Sequence, residues 1–206
     1  AMHDELTRLP NRRLFHDRLD TAFARAQRQH GRLSLLFIDL NRFKHVNDQY
    51  GHVCGDLLLQ QVARRIHACV RDVDTLARLG GDEFVVLLEN TALPSDAALV
   101  AEKIHLALAA PVDLGEGRCL HVSVSIGIAH YPDNGNNRME LVAHADQAMY
   151  AAKAHAPAAA KSDLRSGDVC CCRNVDSERV VWEWSCAAPY CAQVGSSAAA
   201  PSRSQS

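Results

Sequence analysis

Two adjacent acids, Asp82 and Glu83, follow two adjacent glycines, Gly80 and Gly81, in the stretch RLGGDEF at residues 78–84. Carboxylates are hard oxygen donors that suit Mg²⁺ or Mn²⁺, yet two acids on an arbitrary turn are most often simply solvated. A third carboxylate changes that balance. Asp39 follows the apolar run LSLLFI, residues 33–38. A strand there, laid beside the turn, would bring Asp39 to Asp82 and Glu83. Three carboxylates with little cationic compensation are costly to hold together unless a divalent cation binds between them. Side-chain-free Gly80 and Gly81 would let a phosphate or a base approach the backbone.

The stretch DLNRFKHVNDQYGHVCGD, residues 39–56, adds Lys44, Asn47, His52 and Asp56 directly after that run. Lys44 can pair with a phosphate, and Asn47 with Asp56 has the donor and acceptor complement to read a guanine edge. Mg²⁺ held by a few carboxylates usually works with substrate phosphates, so the two groups of residues suit one another. We expect this stretch to be a long polar loop at a strand end, where function is commonly carried.

The elements that must position these residues are legible from spacing. Leu14, Phe15, Leu19, Ala22, Phe23 and Ala26 recur at helical intervals over residues 12–30, with Asn11 as N-cap and Gly31 as terminator. A buried strand is expected over 33–38, and helix resumes from Gly55 with Leu58, Val62 and Ile66 on one face. Strand-like runs on either side of Gly80-Gly81 predict a β-hairpin with its tip at those glycines. Pro94 and Ser95 open a helix carrying Val100, Ile104 and Leu108; residues 120–128 alternate as one half-buried strand; a final helix covers 138–154. The order α, β, α, hairpin, α, β, α predicts a single α/β domain over 1–156 with helices packed on a mixed sheet.

Bulk properties narrow the function. The 206 residues are 48% hydrophobic with a net charge of −2 and a pI near 6.6, which is not the basic footprint of a DNA- or RNA-binding surface. No apolar run approaches the roughly 18 residues that cross a bilayer, and no signal-peptide pattern opens the chain, so we expect a cytoplasmic location without direct membrane contact. Three of the eight cysteines, Cys54, Cys69 and Cys119, precede residue 157; the other five lie in a tail over 157–206 of different composition. That tail has no sustained periodicity and is expected to be poorly ordered. Its three consecutive cysteines, 170–172, are a poor chelating geometry and do not suggest a zinc site.

RLGGDEF resembles the signature of the GGDEF family, the diguanylate cyclases. Residues 39–56 resemble that family's D-x-D-x-F-K-x-x-N-D-x-x-G-H-x-x-G-D segment, and DELTRLPNRR, residues 4–13, resembles its opening D-x-L-T-x-L-x-N-R. Three motifs in this order are specific. The resemblance implies a palm-like, nucleotidyl-cyclase-like α+β fold with a largely antiparallel central sheet. It also implies an enzyme that joins two GTP molecules into cyclic di-GMP with release of pyrophosphate. Under it, Asp39, the Leu40 carbonyl, Asp82 and Glu83 hold Mg²⁺ or Mn²⁺, and Asp82 assists deprotonation of the attacking 3′-hydroxyl. Asn47 and Asp56 bind guanine with His52 near the nucleotide, Gly80 and Gly81 line the substrate, and Lys44 and Lys153 contact phosphates. Since each protomer presents one GTP, catalysis needs a homodimer.

The resemblance extends to regulation. Arg71-Asp72-Val73-Asp74 fits the family's R-x-x-D inhibitory motif, with five residues between Asp74 and Gly80 as in the family. An arginine fork beside an aspartate suits guanine and phosphate, so Arg71 and Asp74 are expected to bind cyclic di-GMP as feedback inhibitor; the plainer reading is a local ion pair. Two departures stand out. Asn41 occupies a position that is often acidic, and after Tyr150-Ala151-Ala152-Lys153 the family's x-x-G-R-N gives way to Ala154-His155-Ala156-Pro157. The abrupt change suggests that the tail is not native, and the position of the opening motif suggests a larger parent protein. Two other readings remain open: a non-catalytic domain that senses GTP or cyclic di-GMP, against which the three intact acids argue, and a plain interaction module.

Overall fold

The computed structural model describes residues 1–114, 119–155, 172–176 and 179–183. Helix α1 (Arg12–Gln29) begins as its sequence dictates, with the Asn11 side chain accepting from the Leu14 N–H at 3.1 Å. It ends one residue before the expected glycine, where His30 takes the left-handed conformation at φ 50°. Strand β1 (Leu33–Leu40) follows and is buried along its whole length. The chain continues through α2 (Phe43–Tyr50), α3 (His52–His67), β2 (Thr75–Gly80), β3 (Glu83–Glu89) and α4 (Pro94–Ala109). Next come β4 (Val112–Asp113), β5 (Cys119–Leu120), β6 (Val124–Tyr131) and α5 (Arg138–His155), then β7 (Cys172–Asp176) and β8 (Arg179–Glu183).

The main sheet has the order β2-β3-β1-β6-β8-β7, and β4 pairs with β5 separately. Every pairing recorded among the described residues is antiparallel, which bears out the expected largely antiparallel sheet flanked by helices. Strand β1 is central because both of its faces are apolar. Leu36, Ile38 and Leu40 join one buried cluster with α3 and α4, while Leu33, Leu35 and Phe37 join the other with α1 and α5. A continuous apolar run is what a strand covered on both faces requires.

Three expectations need correction. The stretch after β1 is a helix pair, α2 and α3, and not a long loop. Phe43, Val46 and Tyr50 fall at helical spacing among the polar residues and pack on the core, and Gly51 at φ 82° turns the chain between the helices. The strand expected over 120–128 is two elements, because residues 119–120 pair with β4 and β6 begins only at Val124. The hairpin tip is shifted by one residue: Gly80 pairs with Glu83, leaving Gly81 and Asp82 as the loop, with a register shift between Arg78 and Gly80. Positive φ at Gly81 (52°) is the conformation that a primed turn demands at its first central position. Within the span expected to be poorly ordered, β7 and β8 form a hairpin that meets β6 where Ile126 pairs with Trp182; the remaining tail lies outside the described residues.

One buried group makes stability pH-dependent. His105 on α4 is buried, and burial pushes its pKa down to about 3. A folded-state pKa below the unfolded value of about 6.5 means the unfolded chain takes up the proton first, so stability is complete above pH 6.5 and falls as pH drops toward 3. Between pH 7 and pH 5 the wild type should lose about 2 kcal/mol more than His105→Leu in urea denaturation. Equal losses in the two proteins would contradict a neutral buried imidazole.

Candidate active site at the strand ends

Strand pairing assembles the acids. Asp39 lies opposite Glu83 in the β1–β3 register, and the Leu40 N–H donates to the Asp82 carbonyl at 3.3 Å. The sheet itself thus sets the backbone of Asp39 beside the hairpin. Burial pushes the Asp39 carboxyl above the usual carboxylate range, and the nearby charge of Asp82 pushes it further, against the hydrogen bond and charge of Lys153. Asp39 is 9% exposed at its side chain and receives Lys153 Nζ at 2.6 Å from α5. Glu83 faces Arg12 Nη2 at 3.6 Å, both groups being largely open to solvent.

The premise of little cationic compensation is therefore corrected: Lys153 and Arg12 answer two of the three acids. Among the described residues no group of three or more His, Cys, Asp and Glu side chains stands close enough to hold a metal ion. The residues nonetheless fit one chemically. Asp39 is a desolvated carboxylate already holding an ammonium ion, and the groups beside it are oxygen donors of the kind hard divalent cations take.

The glycines of the turn have open space outside them, since a Cβ built on Gly80 or Gly81 would meet nothing within 4 Å. Asn47 is half-buried on α2, and Lys44 is exposed on the same helix. His52 and Asp56 are exposed near the start of α3. The tight α2–α3 junction brings Asn47 to the residue before Asp56, because a Cβ on Gly55 would lie 1.9 Å from Asn47 Oδ1. Gly55 thus leaves room for the Asn47 side chain beside the start of α3. At the departure noted above, Asn41 Nδ2 donates to Ser123 Oγ at 3.0 Å, and Asn41 Oδ1 accepts from Ser125 Oγ at 2.8 Å. A carboxylate cannot donate, so an acid at 41 could keep the first of these contacts only with the Ser123 hydroxyl as the donor.

Arg71 and Asp74 meet in a two-pronged contact, Nε to Oδ2 at 2.9 Å and Nη2 to Oδ1 at 2.8 Å. Asp74 is buried, while the Arg71 side chain is 59% exposed and also donates to the Glu89 carbonyl. That hydrogen bond to Asp74 raises the Arg71 pKa above its ordinary value. The exposed guanidinium has donors left over for a ligand.

Sequence reasoning missed Arg78 and Asp4. Arg78 Nη1 donates to Asp4 Oδ1 and Oδ2 at 2.9 and 3.1 Å, while Nε and Nη2 donate to the Gly81 carbonyl at 3.0 and 2.7 Å. Asp4 also accepts from the Thr7 N–H and hydroxyl. Burial works against ionised Asp4, but the Thr7 hydrogen bonds and the Arg78 charge prevail and lower its pKa. The signal lay in the opening motif and in the first letter of RLGGDEF, two stretches that sequence distance kept apart.

Residues 1–157 match the family described as "Diguanylate cyclase, GGDEF domain". Over 153 residues the chain is 53% identical to the bifunctional diguanylate cyclase/cyclic di-GMP phosphodiesterase MucR of Pseudomonas aeruginosa, an alignment covering 74% of this chain and 22% of that protein. It is 45% identical over 156 residues to the diguanylate cyclase TpbB of the same species, covering 76% of this chain and 36% of that protein. The chain therefore spans well under half the length of either relative. The solved GGDEF domain of TpbB superposes with a TM-score of 0.73 at 45% identity, covering 75% of this chain and 90% of that one. The GGDEF domain of DgcB from Caulobacter crescentus, solved in complex with c-di-GMP, superposes with a TM-score of 0.68 at 32% identity, covering 75% and 91%.

Proposed function

The chain belongs to the diguanylate cyclase GGDEF domain family, and from that membership we propose that it condenses two GTP molecules into cyclic di-GMP and two pyrophosphates. The observation that carries this reading is the register of β1 and β3, which sets Asp39 opposite Glu83 and beside Asp82. In each of two steps a 3′-hydroxyl oxygen bonds to the α-phosphorus of the other nucleotide, and pyrophosphate leaves with the electron pair of the broken P–O bond. The hydroxyl proton passes to Asp82. Asn47 and Asp56 hold the guanine, His52 lies near the nucleotide, and Lys44 and Lys153 meet the phosphates. Asp39, the Leu40 carbonyl, Asp82 and Glu83 would hold Mg²⁺ or Mn²⁺, which when bound neutralises the charge of the reacting phosphates.

Each domain binds one GTP, so turnover requires two domains face to face, and positioning supplies much of the rate. Product formation should thus rise more steeply than linearly with protein concentration. The test incubates the protein with GTP and Mg²⁺ or Mn²⁺ and separates the products by chromatography. Absence of cyclic di-GMP at high protein concentration would overturn the cyclase reading. Binding of GTP or cyclic di-GMP without turnover would instead favour a sensor.

Product feedback at Arg71 and Asp74 forms part of the same reading, supported by the exposed guanidinium over a buried carboxylate and by the DgcB relative that was solved with c-di-GMP. Arg71→Ala should weaken inhibition by added cyclic di-GMP by about tenfold or more, the scale of losing a charge-assisted contact. Turnover measured before product accumulates should stay near wild type. An inhibition curve that does not move removes Arg71 from the product site.

A further inference from the structure

Helix α5 crosses β6 at Gly127 with no side chain between them, since a Cβ there would fall 2.1 Å from both the Ala145 carbonyl oxygen and the Met149 nitrogen. This close approach fixes where the end of α5 lies. Gly127 pairs with Phe37, and two residues along the sheet Ser125 pairs with Asp39, a step of roughly 7 Å. One helical turn beyond Met149 is Lys153, a rise of roughly 6 Å. The two steps match, and they deliver Lys153 Nζ to Asp39 Oδ1 at 2.6 Å. The Asp39 carboxylate is nearly closed off, whereas the Lys153 side chain is 42% exposed on a flexible stem. Lys153 therefore has somewhere else to go and Asp39 does not.

Resting on the metal and phosphate assignments of the proposed function, we propose that Lys153 is a tethered counter-cation. It occupies Asp39 while the site is empty and is exchanged for the divalent cation when that cation binds. An ammonium within hydrogen-bond reach of the carboxylate and a divalent cation on the same group repel strongly, so the two occupy Asp39 in turn. Displacement turns Lys153 toward solvent at the mouth of the site, where a polyphosphate would lie. Binding of the cation and of the nucleotide is thereby coupled through one side chain, and by linkage each raises the affinity for the other. Lys153 is in this sense a positioning residue whose resting partner is a metal ligand.

The consequence can be measured without turnover, by Mn²⁺ binding followed by electron paramagnetic resonance in the absence of nucleotide. Lys153→Met should bind Mn²⁺ roughly tenfold more tightly than wild type, the scale of removing a partly exposed charge-assisted contact. Adding Asp39→Asn should abolish that gain. A non-hydrolysable GTP analogue should tighten Mn²⁺ binding in the wild type by a larger factor than in Lys153→Met. Equal or weaker Mn²⁺ binding by Lys153→Met, with the wild type still binding, would overturn the exchange alone. Failure of every variant to bind Mn²⁺, with or without the analogue, would overturn the assignment of Asp39 to the metal as well. Thermal unfolding checks that both variants are folded.

Discussion

Asp39→Asn should lower cyclic di-GMP formation by about 10³-fold or more while leaving the domain at least as stable as wild type. The two halves of this expectation come from the same environment. Asp39 is the most enclosed of the three acids, and removing its charge takes away an electrostatic contribution that a low-dielectric site makes large. Burial also raises its folded-state pKa. A raised carboxylate pKa means that stability complete at pH below the unfolded value is lost as pH rises through the folded value. At neutral pH the ionised group is therefore a stability cost, and asparagine relieves it. Lys153, left without its partner, is exposed enough to turn to water. Initial rates by product chromatography and a urea denaturation curve test both halves. Turnover within tenfold of wild type would remove Asp39 from the chemistry, and a markedly destabilised variant would show that the ion pair holds the fold together.

How much of this could be read from residues alone depended on the range of the interactions involved. Helix α1, strand β1 and the hairpin were legible because their signals are local: periodic apolar residues, an asparagine cap, paired glycines. The approach of Asp39 to the hairpin was legible only as a condition, since it depended on which strand lies beside the turn. The α2 helix was hidden, since its three packing residues are outnumbered by charged and amide side chains, and only the core they touch reveals their spacing. The one-residue shift at the turn comes from the irregularity between Arg78 and Gly80, which no local pattern encodes. Most instructive are Lys153 with Asp39 and Arg78 with Asp4, pairs separated by 114 and 74 residues. Asp39 and Lys153 were each read as facing a ligand, and Arg78 and Asp4 carried no reading of their own, until the fold placed each beside its partner.

The close crossing at Gly127 leads to the second large effect. Gly127→Ala should destabilise the domain by about 3 kcal/mol, the upper end of what overpacking usually costs. The atoms that a new Cβ would strike belong to the α5 backbone, namely the Ala145 carbonyl oxygen, the Met149 nitrogen and the Met149 Cα at 2.8 Å. A side chain tip can rotate aside; a helix backbone must move as a unit. Moving it lifts Leu141, Ala145 and Met149 from the cluster they share with Leu35 and Ala129. Glycine in a strand interior is ordinarily a liability of about 1 kcal/mol or less, so its replacement should help wherever space allows, and here space does not. Gly31→Ala is the matched control: its Cβ would have nothing nearer than 3.8 Å, and its unfolding free energy in urea should stay within about 0.5 kcal/mol of wild type. Because the same crossing sets Lys153 over Asp39, Gly127→Ala protein that remains folded should also bind Mn²⁺ more tightly without nucleotide, as Lys153→Met does. A midpoint equal to wild type would mean that α5 is not seated on Gly127, and the register that carries Lys153 to Asp39 would fall with it.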